Sequence, residues 1–115
     1  KDATKTNIGT SFVNVYQGFA GESQGVNFLG YKQYRLIVTV NKVGTGTQTA
    51  ALVDVLNANN YISIDDTAAA GEHRLDTDWV DLPAWASGIF GLKAQAKSTV
   101  AADDPVYRQF VLYLR

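Results

Sequence analysis

Apolar and polar residues alternate along this chain with a period of two, not 3.6. In Tyr34-Arg35-Leu36-Ile37-Val38-Thr39-Val40, one face carries Tyr34, Leu36, Val38 and Val40, and the other carries Arg35, Ile37 and Thr39. Phe90 to Lys97 repeats the pattern: Phe90, Leu92, Ala94 and Ala96 share a face, and Lys93, Gln95 and Lys97 point to water. Strict alternation is what a half-buried antiparallel strand requires. Further strands are expected at Ser11–Gln17, Thr49–Leu56, Tyr61–Ile64, Trp79–Leu82 and Pro105–Arg115.

Turn clusters separate these strands at Gly18–Gly25, Gly44–Gly46, Asn57–Asn60, Ala68–Gly71 and Ser98–Asp104. Val43 to Thr47 has the glycines of a hairpin tip. Only Thr67–Arg74, with three alanines before Gly71, suggests a helical turn. Roughly seven or eight short strands with little or no helix predict an all-β fold, an antiparallel β-sandwich or jelly roll. The domain is expected over residues 10–115, preceded by a polar, flexible arm over residues 1–9, Lys1 to Gly9.

In the closing strand, Pro105 suits a first position because it donates no hydrogen bond. Strict alternation places Phe110, Leu112 and Leu114 in the core. It places Tyr107, Gln109, Val111, Tyr113 and Arg115 on the opposite face. Tyr107, Val111 and Tyr113 make that face more apolar than solvent requires, which is the mark of a contact surface. Together with Trp85 and with Ile8 of the arm they are the expected interface residues.

Composition removes several function classes. The 115 residues contain no cysteine, so neither disulfides nor thiolate metal sites are expected. Ten Lys and Arg against eleven Asp and Glu leave a net charge of −1, without the basic excess of a nucleic-acid surface. The lysines are scattered, and no apolar run approaches the ~20 residues of a membrane-spanning helix. The beginning of the chain shows no charged stretch followed by an apolar core, so no signal peptide is expected. The spacing of Gly18, Gly21 and Gly25 fits no phosphate-binding loop.

Catalysis finds no foothold. His73 is the sole histidine, and its charged surroundings predict an exposed loop position without a G-x-S-x-G elbow elsewhere. Asp65, Asp66, Asp76, Asp78, Asp81, Asp103 and Asp104 offer hard oxygens that would suit calcium, but no EF-hand spacing is present. Aspartate is also an ordinary turn and cap residue, and that reading is adopted. The expectation is a protein that is not an enzyme and holds no cofactor.

One resemblance adds to this. Trp79-Val80-Asp81-Leu82-Pro83, then Gly88, the strand Leu92–Lys97, Asp104-Pro105 and the final strand Phe110–Arg115 resemble small jelly-roll proteins of virus particles. The likeness is to the head-decoration (cement) proteins and related β-sandwich modules of tailed bacteriophages, and it covers the C-terminal third. It implies a virion protein on the capsid surface, made in the host cytoplasm. It also implies binding to itself or to the major capsid protein, with a trimer favoured and without nucleic acid or membrane. The alternative is a non-catalytic carbohydrate-binding module that stacks sugars on Trp85, Tyr31 or Tyr61.

Overall fold

The computed structural model describes residues 11–16, 19–100 and 105–115, together with the backbone of Thr4–Lys5. Antiparallel strands dominate: β1 (Thr4–Lys5), β2 (Val13–Tyr16), β3 (Val26–Asn27), β4 (Gln33–Lys42), β5 (Gln48–Asp54) and β6 (Asn57–Asp66). They continue with β7 (Gly71–Asp76), β8 (Val80–Asp81), β9 (Ile89–Phe90), β10 (Leu92–Ser98) and β11 (Val106–Leu114). The one helix among the described residues is α1 (Ala20–Ser23), a single turn.

Two sheets enclose a common core in a sandwich-like, all-β arrangement. One runs β1-β11-β4-β7, with β8 paired to the start of β4; the other runs β2-β10-β5-β6. A small β3–β9 pair stands apart from both. The alternation read from β4 holds without exception, since Tyr34, Leu36, Val38 and Val40 are all buried. Opposite them lie Leu92, Ala94 and Ala96 of β10, and Ala50 and Leu52 of β5. The β4–β5 connection is the expected tip: Gly44 takes φ 89°, a left-handed conformation that side chains disfavour.

Three local expectations are corrected. Thr67–Arg74 is not a helical turn. From Gly71 onward the chain forms β7, which pairs with β4 from Lys42↔Gly71 to Ile37↔Asp76, and those ladder bonds outweigh the helix preference of a short alanine run. Asn57 to Asn60, read as a turn, belongs to β6; the reversal is at Val55-Leu56, where the Asp54 carboxylate accepts from the Leu56 amide at 2.9 Å. The glycine-flanked loop after β2 contains α1.

The most consequential correction lies in β11. Tyr107 pairs with Val40 but Gln109 pairs with Thr39, so Arg108 is the extra residue of a β-bulge. The bulge inverts the alternation across it. Tyr107 therefore turns inward and is 0% exposed, while Phe110, Leu112 and Leu114 still face the core as expected.

Candidate assembly surface

The outer face of the five-stranded sheet is built from β4, β7 and the distal half of β11. Residues whose inward neighbours fill the core send their own side chains out: Arg35, Ile37 and Thr39 from β4, and Gln109, Val111 and Tyr113 from β11. At the centre Ile37 lies opposite Val111, with Arg35 opposite Tyr113 one pair further along the same face. Ile37, Thr39, Arg74, Gln109, Val111 and Tyr113 line a shallow depression of about 220 Å³. Tyr113 is 50% exposed.

A charged rim surrounds this centre. Arg35 donates from Nε to Asp76 Oδ1 at 2.9 Å, and Arg108 Nε donates to Glu72 Oε1 at 2.6 Å. The hydrogen bond from Arg35, joined by the Asp78 amide at 2.8 Å, holds the Asp76 carboxyl well below the usual carboxylate range. The ion pairs occupy the carboxylates of the rim and leave Ile37, Val111 and Tyr113 as an apolar strip between them, the layout of a protein contact.

Beside the distal half of β11 no described strand closes the sandwich. A groove of about 420 Å³ runs between its distal half and the segment from β2 to β3, lined on one side by Phe110, Leu112 and Leu114 and on the other by Tyr16, Phe19 and Val26. Among the described residues only β1 pairs with the outer edge of β11, and it reaches no further than Tyr107.

The expected interface residues thus separate. Val111 and Tyr113 share the outer face. Tyr107 does not belong to it, because the bulge buries it. Trp85 sits elsewhere, packed edge-on against Phe28 (5.8 Å between ring centres) and Phe90 (5.3 Å) at the core margin. Ile8 lies outside the described residues. Ile37 and Arg74 complete the surface; the signal for Ile37 was present, as a lone β-branched residue between Arg35 and Thr39 on the solvent side of β4.

The other candidate groups are engaged in structure. His73 is on β7, not in an exposed loop; its Nε2 meets the buried Asp66 carboxylate at 2.7 Å and its Nδ1 meets the Gly71 carbonyl at 3.1 Å. With both nitrogens taken, the ring has none directed at a substrate. The buried Lys42 ammonium donates to the carbonyls of Asp66 (3.1 Å) and Ala68 (2.6 Å), closing this turn. The Tyr107 hydroxyl is buried and has no hydrogen-bond partner among the described residues. Burial, reinforced by the charge of Asp66, pushes the Tyr107 phenol far above its ordinary pKa. Among the described residues no three acidic or histidine side chains converge to hold a metal. Asp103 and Asp104 lie outside those residues.

Of the aromatic residues expected to stack on sugars, Tyr31 and Tyr61 keep exposed rings. Tyr61 tilts against Phe12 with ring centres 5.3 Å apart, over which Lys97 also packs, and Trp85 has Phe28 and Phe90 as its ring partners. No family model, curated protein or solved structure matches this chain.

Proposed function

We propose that this protein is a structural module that works by assembling, with copies of itself or with a larger protein lattice, and that it serves as a capsid decoration (cement) or other virion protein. The observation that carries the reading is the apolar strip of Ile37, Val111 and Tyr113, ringed by paired charges, running to the open edge of β11. Such a surface has an evident use in protein contact and none in chemistry. The engaged nitrogens of His73 favour a role without catalysis. Sugar binding is the weaker reading, because Trp85, the largest of its candidate rings, is packed against Phe28 and Phe90 at the core margin.

Light scattering behind a sizing column, with wild type and the Tyr113→Lys and Val111→Lys variants, tests the reading. Wild type should run above monomer mass, or co-migrate with a phage shell, and each lysine should weaken that association about tenfold or more. A wild type that stays monomeric and ignores every shell offered would end the proposal.

A further inference from the structure

The backbone of β11 carries information beyond its side chains. Arg115 and Gln33 exchange both hydrogen bonds, at 3.0 and 2.9 Å. In an antiparallel ladder such pairs alternate with pairs that do not bond, so Tyr113, Val111 and Gln109 bond to β4 while Leu114, Leu112 and Phe110 do not. The N–H and C=O groups of Phe110, Leu112 and Leu114 therefore point to the outer edge, where no described residue bonds them.

Exposed edges are normally blunted by charge, proline or a bulge. The other long edges of this molecule are blunted in that way. β7 carries Glu72, Arg74 and Asp76, and β6 carries a register break at Val53/Asp54 and the acidic pair Asp65 and Asp66. On β11 the bulge and Arg108 guard only the beginning. From Gln109 to Leu114 there is no charge, proline or irregularity. The guarded part is also where β1 already pairs, antiparallel, so this edge is a strand acceptor and an added strand would continue the same line.

We infer that the occupant is β11 of a second copy, paired antiparallel about a two-fold axis at Leu112. This rests on the assembly reading above and deepens it by naming the partner and the mode. The sequence is self-complementary in this one register. Leu112 meets Leu112 of the second copy, Phe110 meets its Leu114, Val111 meets its Tyr113, and Gln109 meets its Arg115. Every apolar residue finds an apolar one, and the polar ends find each other. A shift of the axis to Phe110 or Val111 would set Leu112 or Leu114 against Arg108, and a shift to Tyr113 or Leu114 would set Val111 or Tyr113 against Arg115. The pairing would add about six backbone hydrogen bonds and join two sheets into one. It would also double the Ile37–Val111–Tyr113 strip and bring the second strand's inward side chains over the apolar groove. A two-fold pair differs from the trimer that the phage resemblance implies.

The test compares Leu112→Pro with Leu112→Ala by sedimentation across concentrations. Both shorten the side chain, but only proline removes the outward N–H, and it leaves the β4 ladder whole because Leu112 does not bond to β4. Association of Leu112→Pro should be at least about tenfold weaker than that of Leu112→Ala, since each dimer loses two bonds. Gln109→Lys and Gln109→Glu, both at an exposed position, check the register without risk to the fold. Facing Arg115 of the second copy, lysine should weaken the dimer and glutamate strengthen it, with opposite signs that shrink in salt. A wild type that stays monomeric at every concentration overturns the inference. An assembly indifferent to Leu112→Pro, with equal effects of the two Gln109 variants, overturns it as well while leaving the assembly reading standing, because copies would then meet elsewhere.

Discussion

Individual side chains set the electrostatics of this molecule. Asp76 is held by Arg35 and by the Asp78 amide, and both favour its charged form. A carboxyl whose pKa is depressed on folding contributes stability above the unfolded value of about 3.9, and that contribution is lost as pH falls through the folded value. Asp76→Asn should therefore cost most at neutral pH, and the gap to wild type should narrow steadily below pH ~4. Urea titrations at several pH values would show it, and a gap of constant size from pH 7 to pH 2 would refute it. Tyr107 offers the converse case. Its ring fills the core while its buried hydroxyl has no partner among the described residues, so Tyr107→Phe should raise stability by about 1 kcal/mol. A less stable phenylalanine variant would mean that the hydroxyl is bonded in solution. Neither feature could be read in the sequence, because Asp76 and Arg35 are 41 positions apart and meet only through the β4–β7 pairing.

At the scale of elements, the bulge at Arg108 decides which residues of β11 are core. Arg108→Ala should change stability by less than about 1 kcal/mol, since the side chain is exposed and its ion pair with Glu72 lies at the surface. Deleting Arg108 should be tolerated about as well, because Tyr107 and Gln109 then follow one another in the register they already hold against Val40 and Thr39, and Tyr107 stays in the core. A loss of about 3 kcal/mol or more on deletion would show instead that the bulge itself is needed. Strict alternation in β4 and β10 made both strands legible, and the glycines of the β4–β5 connection made its turn legible. β7 was not, because Leu75 alone among its residues is large and apolar, and what makes it a strand is the neighbouring β4 backbone. The bulge escaped for a related reason: one inserted residue leaves no compositional trace, and the alternation looks intact on either side of it.

For the whole molecule, the all-β class followed from periodicity, but the position of each strand in its sheet did not. Among the described residues, that order is what leaves the distal half of β11 at an edge and gives the Ile37–Val111–Tyr113 strip its place. Half of the proposed contact surface was therefore visible as side-chain pattern in Val111 and Tyr113. The other half, the outward backbone of Phe110, Leu112 and Leu114, belongs to topology. If β11 is the place where this protein meets its own kind, amide hydrogen exchange followed by NMR at high and low protein concentration reads that residue by residue. Under assembling conditions the amides of Phe110, Leu112 and Leu114 should exchange about a hundredfold more slowly than in dilute solution, while those of Val111 and Tyr113, already bonded to β4, should be protected in both. If the three outward amides exchange equally fast while the protein is assembled, β11 is not the meeting edge.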